Sequence, residues 1–155
     1  MIALNYIKYI KLHIKAVNQC ISMIETIEIL LSYKNLSVNE IFSCLSKNNS
    51  LYLLDFIRKI NSNISNDLYH YILSDENKKT IMSCKYISVT DKENIISFLE
   101  VFGKSDLNGQ IINCKTYKDV FKKTLKKLEK TESADCKNMG TIILGTGLLL
   151  IILLL

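Results

Sequence analysis

The stretch that decides the fold is residues 106–155, DLNGQIINCKTYKDVFKKTLKKLEKTESADCKNMGTIILGTGLLLIILLL. Its last seventeen residues, from Met139 to Leu155, carry no charge and consist almost entirely of Ile, Leu, Gly and Thr. At a rise of about 1.5 Å per residue, a helix of this length spans roughly 25 Å, close to the ~30 Å hydrocarbon layer of a bilayer. The pattern therefore predicts a C-terminal transmembrane helix over residues 139–155.

The segment before this predicted span is rich in lysine. Positive charges beside an apolar span mark the side of the membrane that stays cytoplasmic, so we expect a cytoplasmic domain tied to a membrane by its C-terminus. The alternative is a C-terminal helix buried in a large soluble core, but such a helix normally has a polar stripe and this one has none. The flanking lysines are Lys115, Lys118, Lys122, Lys123, Lys126, Lys127, Lys130 and Lys137.

The composition favours an all-α fold. The chain of 155 residues contains no proline, which is the strongest helix breaker, and the residues outside the span suffice for one domain with its own core. The net charge of +5 lies mostly beside the predicted span, where it would face anionic lipid. Nucleic-acid binding is the competing use of lysine, but no recognisable reading motif accompanies these residues, and we expect no nucleic-acid partner.

The N-terminal residues 2–33 are predicted to form a long amphipathic helix. Polar residues recur at spacings of three and four on one face, opposite a face of isoleucine and valine; they are Lys8, Lys11, Lys15 and Asn18. The lysines exclude an ordinary membrane span and leave either a helix of the bundle or a helix lying on the bilayer. We divide the chain into an amphipathic or truncated N-terminal segment (1–19), a cytoplasmic helical bundle (20–138) and a membrane anchor (139–155).

Local signals mark where the later helices begin and end. Ser37-Val-Asn-Glu40 and Thr90-Asp-Lys-Glu93 have the form of a capping box, and Gly103 is placed to end one helix before Ser105 or Asp106 caps the next. The predicted helices after residue 33 cover 38–46, 51–61, 66–73, 77–87, 91–102 and 106–136.

The last predicted helix has an apolar face at helical spacing, formed by Ile111, Cys114, Tyr117, Phe121, Leu125 and Leu128. If this helix continues without a break into residue 139, one helix both packs in the bundle and crosses the bilayer. The result would be a stiff link between the domain and the membrane.

Motifs for catalysis or cofactor binding are not recognisable in the sequence. His13 and His70 have no ligand spacing around them, and neither a phosphate-binding loop nor a nucleophile elbow occurs. The five cysteines contain no C-x-x-C and indicate reduced thiols; Cys136, near the bilayer, is either an ordinary thiol or an acylation site. We expect a non-enzymatic protein with no cofactor, no metal and no small-molecule substrate.

Two groups of residues are candidates for contacts with other chains. Glu25 and Glu28 lie three residues apart on the first predicted helix. Two glutamates at this spacing form a solvated helix edge or salt bridges more often than a catalytic pair of carboxylates. Small residues along one face of the predicted span either let two membrane helices approach closely or are simply common in such spans. These small residues are Gly140, Thr141, Gly145 and Gly147.

Three stretches together resemble one known family. Residues 24–29 (IETIEI) and 36–41 (LSVNEI) are similar to its L-E-T-E-I … L-x-E-A opening. Residues 102–110 (FGKSDLNGQ) resemble its L-G-x-S-D-x-x-x-Q signature, and residues 137–152 (KNMGTIILGTGLLLII) resemble its K-N-x-x-L-G-x-L-x-G-L lead into a C-terminal span. The family is the stage III sporulation protein AB family of endospore-forming bacteria, and the resemblance covers about residues 20–155.

The resemblance implies a non-enzymatic membrane platform. Its helical cytoplasmic domain, similar to the inner-membrane platform of type II secretion systems, would belong to the channel joining mother cell and forespore. The implied location is the outer forespore membrane, with the domain on the mother-cell side. The implied partners are the channel's secretion-type ATPase (stage III sporulation protein AA), other membrane proteins of the channel, and membrane lipid.

Roles for individual residues follow from the resemblance. Within the signature we expect Gly103 to form a turn without a Cβ, Ser105 and Asp106 to cap a helix, and Gly109 to allow close contact between helices. Gln110 is expected to make a buried or interfacial hydrogen bond. Glu25 and Glu28, together with lysines of the long helix, are the exposed candidates for contact with the ATPase.

One feature departs from the family pattern. The family usually begins with another membrane span, and this chain begins about where that span would end. Either the span is lost, the start is assigned too late, or residues 1–19 replace it as a surface helix. The competing functional hypothesis is a tail-anchored helical interaction protein unrelated to sporulation, such as a death-regulator-like bundle or a small lytic membrane protein.

Overall fold

The structure is a computed structural model that describes residues 2–34, 36–62 and 74–154, with side chains over 5–34, 36–60 and 74–134. All regular structure in these ranges is helical, without a strand, which confirms the all-α prediction. The elements are α1 (Ile2–Lys34), α2 (Val38–Ser46), a 3-10 turn (Asn49–Leu51), α3 (Phe56–Ser62), α4 (Asp75–Met82), α5 (Val89–Val101) and α6 (Leu107–Leu154).

The core is organised around α1 and α6, which form the most extensive contact between the described elements. The two helices run antiparallel, because Glu28 contacts Lys118 whereas Lys11, seventeen residues earlier, contacts Glu132. The other helices contact one another in chain order from α2 to α5, and α5 returns to α6. The bundle is therefore a closed ring of helices in which the first and the last are neighbours.

Sequence periodicity predicted most of the buried faces of the two long helices, although Ile111 of the predicted α6 face is only partly buried. On α6, Cys114 and Phe121 are fully buried, and Tyr117, Leu125 and Leu128 pack against the core. On α1 the predicted polar face is exposed, while the helix passes residue 19, the predicted end of the N-terminal segment, without a break. The buried residues of α1 before that point are Ile10, His13, Ala16 and Val17.

The predicted helix over residues 51–61 is interrupted in the structure. A 3-10 turn occupies Asn49–Leu51, and α3 begins only at Phe56. The Leu53 N–H donates to Oε1 of Gln19 on α1 at 2.8 Å, so a side chain from another helix supplies the acceptor for this backbone group. The boundary prediction is wrong because it considered local spacing alone.

Two other helix boundaries also differ from the predictions. The helix predicted over 77–87 is α4, which begins after the Ser74 cap and ends at Met82. The capping box predicted at Thr90 is wrong, because Ser88 is the N-cap of α5 and its hydroxyl accepts the Asp91 N–H at 3.1 Å. The capping box at Ser37 is confirmed: the Glu40 carboxylate accepts the Ser37 N–H at 2.8 Å.

Two predictions fall outside the described part of the chain. They are the helix over residues 66–73 and the side chains of the predicted span, residues 139–155, although the backbone of α6 is helical through Leu154. Over the part that the structure describes, no helix is both long enough and apolar enough to cross a membrane.

Candidate functional site

The signature stretch forms the joint between α5 and α6. The Phe102 N–H donates to the Phe98 carbonyl oxygen at 3.0 Å and closes the last turn of α5. Gly103 follows with φ of 85°, in the left-handed region where glycine has no Cβ penalty. The prediction that Gly103 ends this helix with a turn is confirmed.

The start of α6 is held by a compact set of hydrogen bonds. Asp106 Oδ1 accepts the Gly109 N–H at 2.9 Å, which confirms the capping role of Asp106. Ser105 contributes its carbonyl oxygen, which accepts a hydrogen bond from Gln110 Nε2 at 3.0 Å. The Oε1 atom of Gln110 is buried and has no hydrogen-bond partner in the described part of the chain.

The loop that caps α6 leaves no room for a side chain at Gly109. A Cβ on Gly109 would lie 2.8 Å from both the Cβ and the Oγ of Ser105 and 2.9 Å from Asp106 Oδ1. The prediction of a close contact between helices at Gly109 is not confirmed, because the three atoms nearest to its Cβ position belong to the loop that caps α6. The signature thus lies in the joint at which α6 begins.

The predicted acidic pair is divided between two environments. The Glu28 carboxylate accepts a hydrogen bond from Lys118 Nζ at 2.7 Å, and the two side chains are 19% and 18% exposed. This hydrogen bond raises the pKa of Lys118. The prediction that both carboxylates are exposed is wrong for Glu28, because its helix face packs against α6, whereas Glu25 is exposed.

Two apolar residues extend the exposed surface around Glu25. Ile29 is 55% exposed and Tyr33 is 86% exposed. They follow Glu25 at intervals of four residues, so all three share one outward face of α1. We call Glu25, Ile29 and Tyr33 the outer stripe. Ile29 and Tyr33 were not predicted as surface residues, although their spacing from the exposed Lys11 and Asn18 places them on the polar side of the helix.

A polar cavity of about 290 Å³ lies between α1, the start of α5 and α6. His13 Nε2 lies 3.2 Å from Asp91 Oδ2, and both side chains are buried. The Ser88 hydroxyl donates to the same carboxylate oxygen. The residues that line the cavity are His13, Ser88, Thr90, Asp91, Thr124, Lys127, Leu128 and Thr131.

The polar residues of this cavity strengthen the N-terminal cap of α5. Burial acts to raise the pKa of Asp91, but hydrogen bonds from His13 and Ser88 outweigh it and hold the pKa below its usual value. Because the imidazole and the hydroxyl both bond to the carboxylate, the imidazole is not directed at the hydroxyl as a general base. The cluster joins α1 to the start of α5. His13 and Asp91 are 78 residues apart, and no sequence pattern predicted their contact.

The cysteines of the described residues are free thiols, as predicted. Cys44 is exposed, while Cys20, Cys84 and Cys114 are buried. Burial raises the pKa of the Cys84 thiol to about 11 and that of Cys114 to about 12. A raised pKa suppresses the reactive thiolate, so these buried cysteines behave as small apolar core residues.

Some predicted features are not represented in the described side chains. One is Cys136, and the others form the proposed packing face of the span: Gly140, Thr141, Gly145 and Gly147. Among the side chains that the structure describes, no group of three or more His, Cys, Asp or Glu residues could hold a metal ion.

The α5–α6 joint generates a stability prediction. Gly103→Val should cost about 1–3 kcal/mol, because a β-branched residue is strained at positive φ. Asp106→Ala should cost about 1 kcal/mol through loss of the cap, whereas Ser105→Ala should have little effect because Ser105 contributes its backbone carbonyl. Thermal melting of the purified chain measures all three, and a valine variant as stable as the parent would contradict the positive φ.

The divided acidic pair generates a second prediction. Glu28→Lys should destabilise the bundle by about 1–3 kcal/mol, because it leaves two ammonium groups facing each other in a half-buried site. Glu25→Lys, on the exposed face of the same helix, should change the free energy of unfolding by less than about 0.5 kcal/mol. Denaturant titration separates the two variants, and equal losses would show that Glu28 is not held by Lys118.

Comparison with known proteins identifies the family. The family model described as stage III sporulation protein AB matches residues 1–155, and therefore includes the N-terminal segment (1–19) that the resemblance of individual motifs did not cover. No curated protein and no solved structure matches the chain. The match favours the sporulation hypothesis over an unrelated tail-anchored protein, and the family is not known as enzymatic. The chain therefore belongs to the stage III sporulation protein AB family, which implies a role in sporulation.

Proposed function

We propose that this chain is a non-enzymatic platform subunit of the channel that joins mother cell and forespore. Its C-terminal helix would anchor it in the outer forespore membrane, with the bundle on the mother-cell side. The observation that carries the proposal is the continuity of α6, a helix of 48 residues. It begins in the bundle, where Cys114 and Phe121 are fully buried, and ends in the uncharged stretch that starts at Met139.

The length of α6 suits a mechanical link. At about 1.5 Å per residue the helix extends roughly 72 Å, more than twice the thickness of a hydrocarbon layer. Sharp bends in helices arise at proline, at glycine and serine pairs, at bulges or where a group enters the hydrogen-bond ladder; the chain has no proline, and no glycine occurs between Gly109 and Gly140. A change in the orientation of the membrane helix would therefore reach the bundle core directly.

The lysines of α6 support the orientation of the proposed anchor. Several of them are exposed just before the uncharged stretch, namely Lys122, Lys123, Lys126, Lys127 and Lys130. Lysine beside a span favours the cytoplasmic side, and the anionic lipids of the cytoplasmic leaflet attract such residues by about 1 kcal/mol each near the surface. Membrane lipid and other membrane proteins of the channel are thus the expected neighbours at this end.

The outer stripe (Glu25, Ile29 and Tyr33) is the proposed docking surface for the channel's secretion-type ATPase, stage III sporulation protein AA. Because α1 and α6 are antiparallel, Glu28 is level with Lys118, which precedes Met139 by about 32 Å of helix. The stripe therefore lies at the end of the bundle away from the proposed anchor, where a cytoplasmic ATPase would approach. Exposed aromatic and apolar groups beside a charge are typical of a binding surface, in which the charge influences encounter and specificity.

Deletion of residues 139–155 tests the anchor. The truncated chain should leave the membrane fraction and remain helical, because the lysines alone bind lipid electrostatically and salt screens that attraction. Membrane fractionation at high salt and circular dichroism provide the two measurements. If the truncated chain stays on the membrane at high salt, residues 1–19 are the anchor and the proposed topology is wrong.

Charge reversal in the outer stripe tests ATPase docking. Glu25→Lys should weaken capture of stage III sporulation protein AA by the full chain about tenfold or more and reduce spore formation, while the fold and membrane insertion remain intact. Glu93→Lys, an equal charge change at another exposed position, is the matched control. Glu28 is unsuitable for this test because its replacement is expected to disturb the bundle.

The capture experiment has clear contrary outcomes. If Glu25→Lys captures the ATPase and sporulates like the parent, the outer stripe is not the docking surface. If Glu25→Lys and Glu93→Lys weaken capture equally, net charge and not the stripe controls binding. Removal of the exposed ring in Tyr33→Ala should weaken capture in the same way as Glu25→Lys, since both side chains share the face.

A further inference from the structure

A second exposed surface combines tyrosine and lysine at the N-terminal end of α1. Tyr6 is 53% exposed and Tyr9 is 41% exposed. The Tyr9 ring lies 6.2 Å from the ring of Tyr86, and Lys85 Nζ lies 5.4 Å from the centre of the Tyr86 ring. A groove of about 280 Å³ joins the two segments, lined by Asn5, Lys8, Tyr9, Leu12, Lys85 and Tyr86. We call Tyr6, Lys8, Tyr9, Lys85 and Tyr86 the tyrosine–lysine edge.

The register between α1 and α6 gives the height of this edge in the bundle. Lys11 Nζ lies 3.9 Å from Glu132 Oε1. Because the helices are antiparallel, each step of one residue towards the N-terminus of α1 corresponds to a step of one residue towards the C-terminus of α6. Tyr9 is therefore level with about residue 134 and Tyr6 with about residue 137, both within about 8 Å of Met139 along the helix axis. The edge lies beside the point where the uncharged stretch begins.

We propose that the tyrosine–lysine edge rests on the membrane surface and binds anionic lipid headgroups. This inference depends on the proposed membrane anchor, since α6 brings the edge to the bilayer. Tyrosine is enriched at the membrane–water interface because its ring is apolar and its hydroxyl is polar. Lysine extends its ammonium towards anionic headgroups while its carbon chain covers apolar surface. Tyrosine thus suits the membrane–water interface and lysine suits the anionic headgroups, and the edge would contact both.

The position of the edge favours lipid over an acidic protein partner, because its positive charge would attract either. Exposed lysines of α6, including Lys127 and Lys130, lie at nearly the same height and outnumber the exposed Glu129 between them, so this end of the bundle carries an excess of positive charge. The nearby carboxylate of Glu132 is paired with Lys11. When α6 crosses the bilayer, the headgroup layer is the surface that this end of the domain meets.

The consequence is a domain held at two points. A single membrane helix leaves the bundle free to rotate about the helix axis and to tilt. A second contact through the tyrosine–lysine edge removes much of that freedom and fixes the direction, around the α6 axis, in which the outer stripe faces. The outer stripe would then be presented to the cytoplasm in one orientation, which reduces the entropy cost of binding a partner.

Tryptophan fluorescence tests the edge directly, because the chain contains no tryptophan. The full chain carrying Tyr6→Trp is placed in vesicles of phosphatidylcholine and phosphatidylglycerol that contain brominated lipid, which quenches tryptophan in contact with it. The matched control is Tyr33→Trp, at the other end of α1. We expect at least a twofold loss of fluorescence for Tyr6→Trp and almost none for Tyr33→Trp.

The lysines are tested in the Tyr6→Trp background. Lys8→Gln with Lys85→Gln should reduce the quenching in anionic vesicles, and vesicles of phosphatidylcholine alone should reduce it similarly. Lys34→Gln with Lys115→Gln removes the same charge from exposed positions far from the edge and should leave quenching unchanged. Circular dichroism confirms that each variant remains helical.

The outcomes separate this inference from the proposed function. If the chain floats with the vesicles but Tyr6→Trp is quenched no more than Tyr33→Trp, the anchor stands and the edge does not meet lipid. If quenching of Tyr6→Trp does not respond to the edge lysines or to phosphatidylglycerol, the edge does not bind anionic headgroups. If the full chain does not float with the vesicles, the proposed anchor is wrong and the inference fails with it.

Discussion

The apolar face of α1 packs against α6 along the bundle, and the remaining structure depends on this antiparallel contact. A long amphipathic helix cannot bury its apolar face alone. Full burial of an Ile, Leu or Phe side chain contributes about 1.5–3 kcal/mol, and residues such as Ile24, Ile27 and Phe121 are almost completely buried. Because these two helices come from opposite ends of the chain, their pairing closes the ring formed by the helices between them.

Polar contacts determine how the shorter helices attach to this pair. Gln19 accepts a backbone N–H from Leu53, and His13 reaches Asp91 at the start of α5. Removing one partner of such a contact leaves a buried polar group without a hydrogen bond, which costs about 1–3 kcal/mol. A displaced loop would break these bonds, so they favour one arrangement of the bundle even where their net contribution to stability is small.

The antiparallel arrangement also separates two kinds of surface. The end of the bundle near Met139 carries tyrosine and lysine, whereas the opposite end carries Glu25 with exposed apolar neighbours. The first composition suits a headgroup layer, and the second suits a protein interface. In the proposed platform, α6 connects the two ends, and the α5–α6 joint at Gly103 sets where α6 begins.

Local sequence determined the helical class, the capping box at Ser37, the turn at Gly103 and the apolar face of α6, because these depend on residues within one or two turns of each other. Only the tertiary structure decided that Gln19 accepts the Leu53 N–H where the third predicted helix is interrupted, that Asp91 is paired with a distant histidine, and that Glu28 is half-buried while Glu25 is exposed. Such contacts join residues far apart in the chain. Periodicity identifies which face of a helix is apolar, but which neighbour that face meets is decided by packing of the whole bundle.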